Sequence, residues 1–162
     1  MNANIEALYR TAGKHERTIL GLMSGTSLDG LDIAVCKFLG SGTHTKLNVT
    51  HYTTVPYTED FKTAVRKIFS IRVVDLEAVT LLNAHIARVH ASMVLSALDS
   101  WKLSATSIDV IASHGQTIYH APASMHSQSM YGNATLQIGD GDIISTVTGI
   151  ITISDFRQKH IA

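Results

Sequence analysis

In 162 residues the chain has one cysteine, two prolines and one tryptophan, and its 13 Lys plus Arg are balanced by 13 Asp plus Glu. Each scarcity excludes something. A lone Cys36 rules out an intrachain disulfide, and its place in an apolar strand pattern makes it a buried, inert thiol suited to a reducing compartment. Zero net charge leaves no global field to gather nucleic acid or an anionic membrane surface, so any anion site must be local. The segment from Met1 to Arg17 carries Arg10, Lys14, Glu16 and Arg17 without a long apolar run. It reads as a short helix or a loose lead-in rather than a signal peptide or a membrane span. With 45% hydrophobic residues, the rest suits one domain or one compact half of a larger protein, and disorder is not expected.

What is present concentrates between Gly21 and Asp32, where three glycines and three hydroxyls sit between two apolar runs. Thr18–Met23 and Leu31–Phe38 both read as strands, and Asp29-Gly30 between them is a hairpin signal. Glycines let backbone N–H groups approach an anion, and Ser24, Thr26 and Ser27 add neutral donors. It is not a Walker P-loop, because no Gly-Lys-Ser/Thr ending and no helix follows. The same residues suit a ligand-free turn, and composition alone leaves both readings open.

Downstream, Lys46–Val55 alternates as a third antiparallel strand stopped by Pro56. Thr58 and Asp75 are N-cap candidates for two helices, the second with an apolar stripe from Leu76 to Ala97. Ser107–Ser113 is an apolar run of the buried parallel type, expected to end in the polar tetrapeptide His114-Gly-Gln-Thr117. Ligands gather at the carboxyl ends of strands in open α/β sheets, which makes that tetrapeptide a site candidate. Ala121–Asn133 reads as an exposed loop, Thr135–Ile138 as a strand, Asp142–Thr148 as a helix ended by Gly149, and Ile150–Ser154 as a last buried strand. The whole reads as an α/β domain over 18–162 whose mixed sheet has three antiparallel strands, then strand–helix alternation.

Nine histidines invite a metal site, but His85 and His90 are five apart, about 140° around a helix, and cannot share an ion as an i, i+4 pair does. Burial in a strand raises the Cys36 pKa, which argues against a nucleophile. Ser113 and His114 are strand neighbours that face opposite ways and form no dyad, so His114 reads better as a hydrogen-bond partner for a substrate.

Five blocks in one order, Gly-Leu-Met-Ser-Gly-Thr-Ser-Leu-Asp-Gly-Leu-Asp at 21–32, Ser-His-Gly-Gln-Thr-Ile-Tyr-His at 113–120, Thr-Leu-Gln-Ile-Gly-Asp at 135–140, Thr-Gly-Ile at 148–150 and Asp-Phe-Arg at 155–157, closely resemble the anhydro-N-acetylmuramic acid kinase family. The likeness runs from about Ile19 to Ala162. It implies one half of an actin-like, ribonuclease H-like ATPase fold of the sugar kinase and Hsp70 type. It also implies a kinase that opens the 1,6-anhydro bond of anhydro-N-acetylmuramic acid with water and phosphorylates the freed O6 from ATP with Mg²⁺, in peptidoglycan recycling. By resemblance, Gly25, Thr26, Ser27, Leu28, Asp29, Gly30, Leu31 and Asp32 surround the ATP phosphates, and Asp29 makes an outer-sphere Mg²⁺ contact. His114, Gln116, Thr117 and His120 line the sugar pocket, with Ser24, Asp140, Asp155 and Arg157 as further polar contributors. Gln158-Lys159-His160 departs from the arginines and aspartate of many relatives. The family's Asp-Thr-Gly-Pro-Gly-like motif, with its general-base aspartate, and the adenosine-binding half are expected beyond Ala162, so no catalytic residue is assigned within the chain. The chain is therefore expected to act as an amino-terminal half, inactive alone. The expected partners are ATP and a small amino sugar, with neither nucleic acid nor membrane; a homodimer is compatible, and the expected location is the cytoplasm. The rival reading is a non-catalytic module that binds phosphate or amino sugar.

Overall fold

Alternating burial builds the first strands of the computed structural model, which describes residues 3–161. Met1 and Asn2, at the start of the expected lead-in, and Ala162, at the end of the expected domain, lie outside the described residues. In β1 (Glu16–Ser24) Leu20, Leu22 and Ser24 are buried and Met23 is exposed; in β2 (Gly30–Leu39) Leu31, Ile33 and Val35 are buried. The two pair antiparallel from Glu16 opposite Leu39 to Ser24 opposite Leu31. β3 (Lys46–Pro56) adds antiparallel to β2 as a largely exposed edge. β4 (Val110–Ala121) lies parallel to β1 on its other side, which requires a crossover, supplied by α2 (Glu59–Arg66) and α3 (Leu76–Ser100). β5 (Ala134–Ile138) and the two-residue β6 (Thr152–Ile153) both pair with β4, antiparallel and parallel respectively, giving the order β3-β2-β1-β4-β5 with β6 beside β4. The chain opens with α1 (Ala3–Ala12) and closes with α4 (Gly141–Thr148) and the short α5 (Gln158–Ile161).

One core joins the helices to the sheet: Phe61 and Val65 of α2, Ile86 and Val94 of α3 and Ile144 of α4 pack with Leu20, Ile33 and Ile111. The caps expected from sequence are present. Thr58 Oγ1 accepts from Phe61 N at 3.3 Å and Asp75 Oδ1 from Glu77 N at 2.9 Å. Gly149 ends α4 in the left-handed conformation. Burial pushes the Cys36 thiol pKa up.

Three local expectations are corrected. The first hairpin does not turn on Asp29-Gly30. Ser24 pairs with Leu31, so the connection is the longer Gly25–Asp29 loop, and Gly30 belongs to β2. Gly30 answers to its neighbour, because a Cβ there would overlap the Val55 carbonyl of β3. Second, β4 does not end at Ser113: it runs through His114–Thr117 to Ala121. Gly115, at φ +71°, lets the strand bulge; pairing with β1 ends at Gln116, where antiparallel β5 begins to pair on the opposite edge of β4. Ile118 and Tyr119 then supply strand formers that the polar tetrapeptide hides. Third, the last strand shrinks to β6, which pairs with β4 only through Thr152 opposite Ile111 and Ile153 opposite Ala112.

Candidate functional site

The Gly25–Asp29 loop is pinned from within and open outward. Leu28 adopts φ +58° and is 3% exposed, so its side chain enters the core while the backbone takes a left-handed turn. That turn costs about 1–2 kcal/mol for a non-glycine residue, and burying leucine returns about 1.5–3 kcal/mol, so the anchor wins. Leu28 N donates to Gly25 O at 3.4 Å, and Asp29 O accepts from Tyr57 N at 3.2 Å. Thr26, Ser27 and Asp29 face solvent. Asp32 lies in β2, where its carboxylate accepts from Tyr52 at 2.9 Å and Thr54 at 2.5 Å, while Leu31 is a core residue. Of the two acids in 25–32, Asp29 alone keeps a carboxylate with no protein partner among the described residues, which fits a hydrated cation beside phosphates.

Beneath the loop lies a buried polar chain. Ser24 Oγ is 2.7 Å from Tyr57 Oη, which is 2.8 Å from His90 Nε2, and Ser24 also donates to Gln116 Oε1. Gln116 Nε2 donates to Gly25 O at 3.3 Å and Thr117 O at 3.2 Å. All four side chains are at most 4% exposed. Burial drives the Tyr57 pKa up to about 12, aided by Asp32 and opposed by the Ser24 hydrogen bond, and holds His90 at about 4.

On the other side of the bulge a cavity of about 260 Å³ opens between β4, β5 and the start of α4. Ser113, His114 and Gly115 form one wall, Gln137, Ile138 and Gly139 another, with Asn83, Asp140, Gly141, Asp142, Ser154 and Asp155 closing the rest. Asp140 is the N-cap of α4, accepting from Asp142 N and Ile143 N, and Asn83 Oδ1 accepts from Gly139 N at 2.7 Å. His114 Nδ1 lies 3.0 Å from Gly115 O and Nε2 lies 3.2 Å from Arg157 Nη1. A carbonyl needs a donor and a guanidinium needs an acceptor, so the ring carries its proton on Nδ1. Desolvation, with the Arg157 and His120 charges, lowers the His114 pKa against the Gly115 hydrogen bond.

Among the described residues, buried polar atoms without a partner cluster at this cavity: Ser113 Oγ and Gln137 Oε1 on its walls, and Nε of Arg157, which holds His114. Such atoms cost about 1–3 kcal/mol each unless a ligand or water completes them. Three aspartates against one arginine make the cavity poor for phosphate and suited to hydroxyl and amide groups.

The structure thus divides the residues singled out in the sequence. His114, Asp140 and Asp155 line the cavity and Arg157 touches His114. Gln116 turns to the loop. Thr117 is 3% exposed, and its hydroxyl has only a 3.5 Å contact from Gln137. His120 is exposed and pairs with Thr135 at 2.7 Å. Asn83, Gln137, Asp142 and Ser154 were not singled out in the sequence, and Ser113 was set aside there as no member of a dyad. Gln137 alone carried a signal, as the polar position in an apolar strand directly before Gly139-Asp140-Gly141.

The family described as anhydro-N-acetylmuramic acid kinase matches residues 17–162. The chain belongs to that family. A relative named anhydro-N-acetylmuramic acid kinase from Pseudoalteromonas atlantica is 55% identical over 162 residues, the whole of this chain and 40% of the relative. One of the same name from Pseudoalteromonas translucida is 52% identical over the same span and share. A third, from Caldanaerobacter subterraneus subsp. tengcongensis, is 35% identical over 158 residues, 98% of this chain and 40% of its own length. The chain therefore spans about two fifths of the anhydro-N-acetylmuramic acid kinases it matches.

Proposed function

We propose that this chain supplies the phosphate loop and the sugar pocket of an ATP-dependent kinase acting on anhydro-N-acetylmuramic acid, within the actin-like ATPase fold. The carrying observation is the cavity beside Gly115, with unpaired Ser113 Oγ and Gln137 Oε1 on its walls and Arg157 bonded to the lining His114, in a chain of this family. The walls offer a hydroxyl and an amide oxygen to sugar hydroxyls and an acetamido group, and Arg157 orients His114 toward them. The exposed Thr26 and Ser27 hydroxyls, raised on the Leu28 anchor, receive the ATP phosphates. Asp29 would hold Mg²⁺ through its hydration shell, and the ion when bound would offset charge on the phosphates.

In the proposed reaction water adds at C1 as the C1–O6 bond breaks, and O6 takes the γ-phosphoryl group with release of ADP. Residues of this chain bind and orient the two substrates, and the proton lost by the attacking water leaves to bulk water, carried by none of them. The test is ATP-dependent phosphorylation of anhydro-N-acetylmuramic acid by the full-length protein that carries this chain, followed by sugar-phosphate mass. Turnover that Arg157→Ala lowers at least tenfold through KM for the sugar is expected. Phosphorylation absent from full-length protein that still binds ATP would sink the reading.

A further inference from the structure

Tyr57 holds the phosphate loop at both ends. Its backbone N–H donates to Asp29 O at 3.2 Å, at the loop's exit, and its hydroxyl meets Ser24 Oγ at 2.7 Å, at the entrance. The ring has little freedom: it stacks on Phe61 with centroids 4.1 Å apart and lies nearly parallel to the His90 ring at 5.9 Å.

The direction of each hydrogen bond follows by elimination. Gln116 Nε2 lies on two carbonyl oxygens, so its Oε1 must face Ser24 and the Ser24 hydroxyl must donate to it. With its one proton spent, Ser24 can only accept from Tyr57. Tyr57, having given its own proton, can only accept from His90, which therefore carries its proton on Nε2. The bare Nδ1 of His90, buried without a partner, agrees with that tautomer. The result is one directed chain from His90 through Tyr57 and Ser24 to Gln116, and Gln116 closes it on Gly25 O, the first residue of the loop.

We infer that Tyr57 and His90 are positioning residues for the nucleotide side of the reaction, fixing the Gly25–Asp29 loop in one conformation from beneath while touching no substrate. The inference rests on the reading of that loop as the phosphate site. A hydroxyl-lined loop serves phosphoryl transfer only when its donors are held in place before ATP arrives. Here the holding is done by groups from β4, α3 and the segment after β3, none of which lies in the loop.

Hydrogen exchange and kinetics on the full-length protein test this together, in wild type, Tyr57→Phe, His90→Leu, His90→Gln and Thr26→Ala. Tyr57→Phe keeps the stacked ring and removes the hydroxyl. It should speed amide exchange in peptides covering 21–32 at least tenfold without nucleotide and raise KM for ATP about tenfold, with KM for the sugar within twofold. His90→Leu, which removes the bare buried nitrogen, should match Tyr57→Phe in loop exchange and KM without a fall in melting temperature. His90→Gln keeps an N–H donor and should restore both readouts to within threefold of wild type. Unchanged loop exchange in Tyr57→Phe and His90→Leu overturns the inference. So does a KM for ATP raised by Thr26→Ala but not by Tyr57→Phe. If exchange quickens and neither Thr26→Ala nor Tyr57→Phe moves KM for ATP, the phosphate reading of the loop falls, and the nucleotide role of Tyr57 and His90 falls with it.

Discussion

Two polar clusters meet on β4, one on each side of Gly115, and they differ in how far the protein completes them. Toward the loop, Ser24, Tyr57 and Gln116 satisfy one another, and His90 leaves only Nδ1 bare. Toward α4, Ser113 Oγ and Gln137 Oε1 have no partner, and Arg157 spends one N–H on His114 while its Nε stays unpaired. Burial alone does not separate them, since Ser113 and Gln116 are both fully buried. Completeness does. A closed network stabilises the fold it belongs to, whereas an open one holds a deficit that a ligand can make good. Substitution of a fully paired member of the first, such as Gln116, should therefore register as lost stability, and substitution in the second as lost affinity for the sugar.

The largest effect is expected from Gln116→Leu, which strands the Ser24 hydroxyl and removes the donor to Gly25 O. Chemical denaturation should show a loss of about 4 kcal/mol at neutral pH. A loss below about 1 kcal/mol would erase the contrast between the clusters.

Next comes pH. The unfolded chain takes up a proton on His90 near 6.5, the folded chain only near 4. Stability is thus intact above pH 6.5 and falls as pH drops from there toward 4, by about 3 kcal/mol from this residue, with His114 adding in the same direction. His90→Leu should flatten most of that slope in urea titrations at pH 7 and 4.5. An unchanged slope would place the acid sensitivity elsewhere.

Ser113→Ala sharpens the other half of the comparison. It should leave melting temperature equal to wild type or slightly higher while lowering kcat/KM for the sugar about tenfold, roughly 1.4 kcal/mol, in the full-length protein. A clear drop in melting temperature with unchanged kinetics would make Ser113 a structural residue.

The smallest effect belongs to Thr117→Val. Its hydroxyl accepts from Gln137 only at 3.5 Å, while Gln137 has Thr135 at 2.7 Å. Sugar handling should shift less than threefold and stability less than about 1 kcal/mol. A tenfold loss of sugar efficiency would extend the cavity along β4.

How much of this could be read from the chain follows from range. Strand alternation, helix caps and the glycine stop at 149 are set by neighbours in sequence, and the three antiparallel strands, the crossover helices and the parallel fourth strand were legible. The continuation of β4 past Ser113 was not, because it depends on Gly115 making room for the Ile138 carbonyl of a strand more than twenty residues away. The site divides the same way. His114, Asp140 and Asp155 sit in polar turns or strand ends that draw attention, whereas Ser113 and Asn83 lie in apolar stretches whose importance comes only from what folds against them. Gln116 carried the right chemistry in the right block, but a bulge at the preceding residue turned it toward the loop.

That bulge also decides which part of the molecule loosens first. β5 is a short edge strand attached to the sheet through β4 alone, from Gln116, the last residue of β4 to pair with β1, onward, and it follows an exposed connection of twelve residues from Pro122 to Asn133. Its amides should therefore exchange with solvent sooner than those of β1 and the first half of β4, through brief detachments that leave the main core intact. Since Gln137, Ile138 and Gly139 form a wall of the cavity, each such detachment would also open the cavity to solvent.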